Sequence, residues 1–182
     1  MQKFVLAVFG SIAIGSAVMA ATAVNYARTY AEDRSEIEDL QARYMFALDW
    51  QNPDVYASTF TDDGVLVWAG GEVAGHDAIV EEVKTMKAMD RVIIDASTPQ
   101  RPWRRRHFIT NIAVRIDGDR ATGRAYWFEF NDDMRDRRPY LGAYGHYEDE
   151  LRKVNGRWLF SRRQIFNEQR DNMAATDEYP AW

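Results

Sequence analysis

Arg105-Arg106-His107-Phe108-Ile109-Thr110-Asn111-Ile112-Ala113-Val114-Arg115-Ile116-Asp117-Gly118-Asp119-Arg120-Ala121-Thr122-Gly123-Arg124-Ala125-Tyr126-Trp127 is the stretch that decides the fold. Two β-branched and aromatic runs flank Asp117-Gly118-Asp119, a turn sequence that reverses a chain between antiparallel strands. Side chains alternate along a strand, so His107 is expected on the face of Ile109, Asn111 and Ala113. Phe108, Ile112, Val114 and Ile116 then fall on the other face. Both faces are largely apolar, so one should line the interior and the other be covered by a further element or subunit.

Outward from this hairpin, strands are expected at about 104–116, 120–131, 140–154 and 157–167, the last two joined by Asn155-Gly156. Upstream, Ile37, Leu40, Tyr44, Ala47 and Leu48 recur at helical spacing. They predict a helix over Ser35–Asp49, with Ser35 as N-cap and Glu36 and Glu38 in its first turn. Asn52-Pro53-Asp54 closes it and opens a short second helix through Phe60. Asp62-Asp63-Gly64 reads as a turn before a strand at Val65–Trp68. Gly70-Gly71 returns the chain at Glu72–Ala74, and a third helix runs from His76 to Met89. The segment 95–102 carries two prolines and reads as a loop. Helices first and an antiparallel meander after them make one α+β domain over 35–167, with the helices on one face of a curved sheet.

The chain has 182 residues, 46% hydrophobic and 13% aromatic, enough for one core. A net charge of −5 argues against nucleic acid as a partner. Residues 1–20 read as an export signal: Lys3, an apolar run from Phe4 to Met19, and Val18-Met19-Ala20 as a cleavage site. The run is short for a membrane span, so no stable span is expected after cleavage and a periplasmic or secreted location follows. Residues 21–34 are expected as a flexible connector and 168–182 as a polar tail. Cysteine is absent, which excludes disulfides and thiolate chemistry.

Four segments together resemble the SnoaL-like branch of the nuclear transport factor two-like superfamily. They are Tyr44 to Trp50 with Phe60-Thr61-Asp62-Asp63-Gly64-Val65, Gly75-His76-Asp77-Ala78-Ile79, His107 to Trp127, and Gly145-His146-Tyr147-Glu148-Asp149-Glu150 running into Asn155-Gly156-Arg157-Trp158. The resemblance implies a cone-shaped sheet wrapped around helices and enclosing a pocket. Its relatives include scytalone dehydratase, bile-acid dehydratases, ketosteroid isomerases and polyketide cyclases, so fold does not settle function. It also implies a pocket histidine at His107, an aspartate partner at Asp49 and a pocket tyrosine at Tyr44.

Such a set supports acid–base chemistry. A neutral imidazole with a pKa of about 6.5 takes and returns protons near neutrality, while a carboxylate on its second nitrogen fixes the tautomer. A tyrosine hydroxyl can stabilise a developing enolate. Dehydration and double-bond isomerisation of a hydrophobic carbonyl compound are the two outcomes, with no cofactor needed. Taken alone, Asp49 could equally be solvated or cap the turn at Asn52-Pro53, and His107 could be a core histidine bonded to backbone. Tyr44 and Asp49 lie about 140° apart around an ideal helix, so they share a site only across a broad wall.

Asn111, Trp127, Glu129, Trp68, Tyr144 and His146 are the candidate substrate-binding residues. Glu129 sits in an aromatic strand and must be exposed, paired or functional, which makes it a further candidate acid or base. His146 shares a face with Tyr144, Glu148 and Glu150, as at a rim, and His76 opens a helix. The three histidines lack metal-ligand spacing, so no metal is expected. Arg101, Arg104, Arg105 and Arg106 form a basic patch beside His107, either a solvated strand start or an entrance for an anionic substrate. Arg162 or Arg163 could pair with an acid of the meander. A non-catalytic ligand-binding or assembly module is the alternative function, a subunit of a larger oxygenase a third, and a homodimer or homotrimer the expected assembly.

Overall fold

The computed structural model describes residues 11–97, 104–132, 136 and 138–169, with side chains described from residue 29 onward and none over 91–97. The chain forms two compact units, Met1–Ser35 and Glu36–Trp182, and the second contains the whole sheet. Its elements are α1 (Ser11–Asp49), α2 (Pro53–Ala57), β1 (Phe60–Trp68), β2 (Gly71–Ala74), α3 (His76–Ser97), β3 (Arg105–Asp117), β4 (Arg120–Asn131), β5 (Tyr140–Val154) and β6 (Arg157–Asn167). The strands form one curved, unclosed sheet in the order β2-β1-β6-β5-β4-β3. The α+β architecture and the four long strands stand as expected.

Four boundaries differ from expectation, one being that α2 ends at Ala57 and Phe60 already belongs to β1. Helix α1 passes straight through Ser35, which is therefore no N-cap. Residues 20–35 contain neither Gly nor Pro and are rich in good helix formers, so nothing halts the helix there. Helix α3 likewise continues past Met89 to Ser97. Asp62-Asp63-Gly64 lies inside β1 as an irregularity in its pairing with β6, between Phe60 and Val65. That pairing is parallel, so the sheet is mixed rather than purely antiparallel. Among the described residues no helix is long and apolar enough to cross a membrane. Residues 1–10, the Arg101-Pro102-Trp103 part of the basic patch, and the tail from residue 170 lie outside the described residues.

Asn111 changes the reading of the central hairpin. Between Thr110 and Ala113 the β3–β4 register slips, and Asn111 adopts a left-handed φ of 54°. Asparagine tolerates that conformation better than a β-branched neighbour, and the extra residue makes a bulge that resets the alternation. His107 and Ile109 therefore share the inner face with Ile112, Val114 and Ile116, and these three isoleucines and one valine pack on the core. Asn111 itself is exposed. Simple alternation had put those residues on opposite faces.

The core joins Ile37, Leu40 and Tyr44 of α1 to Ile79 and Val83 of α3 and to Tyr147, Trp158 and Phe160 of the sheet. One charged cluster is sealed within it. The Arg163 guanidinium donates to both Asp149 carboxylate oxygens, at 2.8 and 2.7 Å, and also to Gln41 Oε1. Gln41 Nε2 donates in turn to Asp149 at 2.9 Å. The same guanidinium stacks on the rings of Tyr44, Tyr147 and Phe160, 3.9–4.1 Å from their centroids. Burial opposes the arginine's charge, but Asp149 outweighs it and holds Arg163 protonated. The arginine–meander pairing anticipated from sequence is thus Arg163 with Asp149.

Removing one partner of such a pair leaves a charge without compensation in a dry interior. Asp149→Ala should lower stability by about 3–5 kcal/mol, read as a shifted urea midpoint. An unchanged midpoint would mean that Arg163 finds water or another acid.

Candidate active site

Helix α1 ends in a Schellman motif. Asn52 N–H donates to Ala47 C=O at 2.9 Å and Gln51 N–H to Leu48 C=O at 3.0 Å, with Gln51 at a φ of 48°. Asn52 then caps α2, accepting from Val55 N–H, with Pro53 in its first turn. This tight exit places Asp49 in the last helical position. A carboxylate there opposes the helix dipole, and such a residue is stable only with a cation or donors close by.

His107 supplies both. Its backbone N–H donates to the Asp49 carboxylate at 3.1 Å, and its Nδ1 lies 2.7 Å from Asp49 Oδ1. The helix end is thereby clamped to the start of β3. On the opposite side of the ring, Nε2 lies 2.9 Å from Glu129 Oε2. Glu129 is the residue directly across the ladder from His107 in the β3–β4 register. The histidine side chain is 9% exposed, Asp49 5% and Glu129 12%, so all three are largely out of water.

When both carboxylates are ionised they can only accept, so each favours a proton on the ring nitrogen it faces. Burial works to neutralise His107, yet hydrogen bonds and charge from Asp49 and Glu129 prevail and raise its pKa above the ordinary 6.5. Glu129 is the mirror case. Burial favours its neutral form, but His107, Arg105 and the Asn131 amide hold its pKa below the ordinary 4.5. Arg105 Nε stands 3.5 Å from Glu129, its NH2 group 3.7 Å from Asp90, and Asn131 Nδ2 donates to Glu129 Oε1 at 3.1 Å. Gly142 makes room for this arrangement: a Cβ there would sit 2.7 Å from Glu129 Oε1.

The triad forms part of the wall of a cavity of about 760 Å³. Tyr44, Leu48, Trp68, Val83, Met86, Trp127 and Ile165 contribute to its lining, along with Arg104, Arg105 and Arg106. That size and apolar character suit a compact organic ligand. Of the residues singled out from sequence, Asp49, His107, Glu129, Tyr44, Trp68 and Trp127 meet here. Asn111, Tyr144 and His146 do not line the cavity. Asn111 is turned out by its bulge. Tyr144 and His146 pair with Phe128 and Tyr126 on the outer face of the sheet. His146 is occupied there by Glu168 at 3.0 Å and stacks on Phe166 with centroids 4.4 Å apart.

Tyr44 is present but sealed. It is fully buried, its hydroxyl lies 2.7 Å from that of Tyr56, and burial raises the pKa of both phenols. Tyr56 was missed from sequence, as was Asp90. A tyrosine in a five-residue helix and an acid in a helix tail give no local sign that the fold turns them toward a cavity.

A curved sheet packed on helices, with a cavity whose wall carries a histidine–carboxylate pair, defines the class: a cone-type α+β domain. The SnoaL-like domain matches residues 29–164, and the chain belongs to the SnoaL-like family. Its fold matches a Catenulispora acidiphila structure in complex with S-DNPA at 26% identity and TM-score 0.63, over 76% of this chain and 96% of that one. A Mycobacterium tuberculosis protein of unknown function matches at 25% identity and TM-score 0.61, over 78% and 79%. A scytalone dehydratase-like protein from Novosphingobium aromaticivorans, at 22% identity and TM-score 0.62 over 78% and 87%, shares the fold. No curated protein matches the chain.

The bracketed histidine has a pH signature. A raised His107 pKa contributes stability that is complete below the unfolded value of 6.5 and is lost as pH rises through the folded value. A lowered Glu129 pKa contributes stability present above 4.5 and lost as pH falls through the folded value. The triad should therefore stabilise the fold most between those two ordinary values. NMR titration of His107 should give a midpoint above 6.5 in the wild type, lower in Asp49→Asn and in Glu129→Gln. Equal midpoints in all three would exclude the coupling.

Proposed function

We propose that this protein is a cofactor-independent acid–base lyase of the dehydratase type, or an isomerase, acting on a hydrophobic carbonyl compound. The observation that carries the reading is the 2.7 Å contact between His107 Nδ1 and Asp49 on the wall of a cavity that combines apolar and charged side chains. Asp49 orients the ring and stabilises its charge, and Nε2 is the nitrogen directed away from Asp49 toward the remaining reactants. With both ring nitrogens protonated, His107 begins the cycle as an acid rather than as the neutral base expected from an isolated imidazole. In the Tyr44–Tyr56 pair one hydroxyl donates to the other and one phenolic proton is left over. Both side chains border the cavity, so a carbonyl oxygen takes that proton only when ligand entry opens the otherwise sealed pair.

The second reading, a binding module, is favoured by the occupation of Nε2 by Glu129, which leaves no ring nitrogen open. The racemic β-hydroxy ketone 4-hydroxy-4-phenylbutan-2-one separates the two, because its loss of water gives a conjugated, ultraviolet-absorbing enone. The lyase reading expects turnover, with kcat lowered about 10²- to 10⁴-fold in Asp49→Asn. Saturable binding by calorimetry without turnover would support the binder.

Export through residues 1–20 belongs to the same proposal, tested by the N-terminal sequence of the protein recovered from culture fractions. Self-association does too. The outer sheet face exposes Phe108, Tyr126, Phe130, Leu141 and Tyr144 side by side, an apolar patch of the kind that marks contact surfaces. Tyr126→Glu should shift sedimentation from a dimer or trimer to a monomer, whereas a wild type that sediments as a monomer would refute the assembly.

A further inference from the structure

We propose that Glu129 is a catalytic residue, the base that removes the proton from the carbon beside the carbonyl, while His107 protonates the departing hydroxyl. This rests on the lyase reading above and divides its labour between two residues. The bare Asp49–His107 pair would give both tasks to the imidazole.

The geometry carries the division. Glu129 lines the cavity, stands directly opposite His107 in the ladder, and meets Nε2, the nitrogen that Asp49 leaves over. A merely structural counter-ion for His107 is already present in Asp49, which takes both the ring and the backbone N–H. A second buried carboxylate on the same ring exceeds what neutralising one imidazolium requires and leaves the three groups with a net negative charge. Arg105, Asn131 and the space left by Gly142 hold that carboxylate in place. The chain thus provides a fixed acid and a fixed base 2.9 Å apart on one wall.

The cycle closes without any other reactant. A substrate hydroxyl inserted at Nε2 displaces Glu129 and accepts the His107 proton. Glu129 then loses the donor that most depresses its proton affinity, while its burial, which favours protonation, remains. It takes the α-hydrogen as a proton, and the C–H electron pair moves into the carbonyl as an enolate; the enolate pair then forms the C=C bond as the C–O bond breaks to release water. His107 is left neutral and Glu129 protonated. When product leaves, the proton crosses the Glu129–His107 contact and restores the starting state. If no hydroxyl departs, Glu129 can return its proton to another carbon, which is isomerisation.

The test uses the full chain, 4-hydroxy-4-phenylbutan-2-one in deuterium oxide, and two readouts: deuterium entry at the α-carbon and enone formation. Both rates are corrected for the protein-free reaction. Glu129→Gln should lose both by about 100-fold or more, with KM little changed, and Glu129→Asp should recover part of both. His107→Gln should lose enone formation while keeping deuterium entry, because the base survives. Near-UV circular dichroism and the thermal midpoint confirm that each variant is folded. The proposal is overturned if Glu129→Gln keeps wild-type rates, or if folded His107→Gln loses deuterium entry while Glu129→Gln retains it. A wild type that catalyses neither reaction removes the lyase reading and this inference with it, whereas an active wild type with an active Glu129→Gln removes this inference alone.

Discussion

An imidazole ring held between two carboxylates ties together the parts of this fold that build the cavity. Asp49 belongs to the end of α1, His107 to the start of β3 and Glu129 to the far half of β4. Each element alone would present an awkward charge: an acid at the wrong end of a helix dipole, a buried histidine, and a glutamate among aromatic residues. Brought together, the charges satisfy one another. The helix end and the sheet rim are held by side-chain and backbone bonds to the same carboxylate. The cost of removing these ions from water means that the arrangement contributes geometry and a defined protonation state more than net stability.

A second ionic cluster, Arg163 with Asp149 and Gln41, lies deeper, under the rings of Tyr44, Tyr147 and Phe160. The two clusters divide the interior. One is completely enclosed and links α1 to β5 and β6. The other borders the cavity, where displacement of a hydrogen bond by a ligand is possible. Tyr44 stands between them, its ring on Arg163 and its hydroxyl on Tyr56. Its position is thus set by packing first, and any electrophilic role is built on a side chain that the core already immobilises.

Much of the fold was legible because hydrophobic periodicity and turn chemistry are local. Ile37, Leu40, Tyr44 and Ala47 at helical spacing are all buried, and Asn155-Gly156 joins β5 to β6 as its composition predicts. Asp49 and His107 were legible through family likeness rather than through any spacing between them. The misplaced faces of β3 have one cause, the bulge at Asn111, which a strict period of two cannot contain. Tyr144 and His146 have a different cause. They pair in regular register with Phe128 and Tyr126, so alternation turns them outward while Ala143 and Tyr147 of the same strand reach the cavity.

The sequence by itself determined the order of helices and strands, the lack of any thiol chemistry, the apolar character of the interior and the identity of the two residues most worth testing. Those properties follow from local propensity, composition and motif, which act over a few residues at a time. Only the tertiary structure decided that Glu129 faces His107, that the imidazole has no free nitrogen, and that Tyr44 is sealed against Tyr56. These depend on cross-strand register and on packing between residues far apart in the chain. The proton affinity of His107 is the clearest example: a lone histidine reads as a switch near neutrality, and two distant carboxylates raise its pKa above that ordinary value.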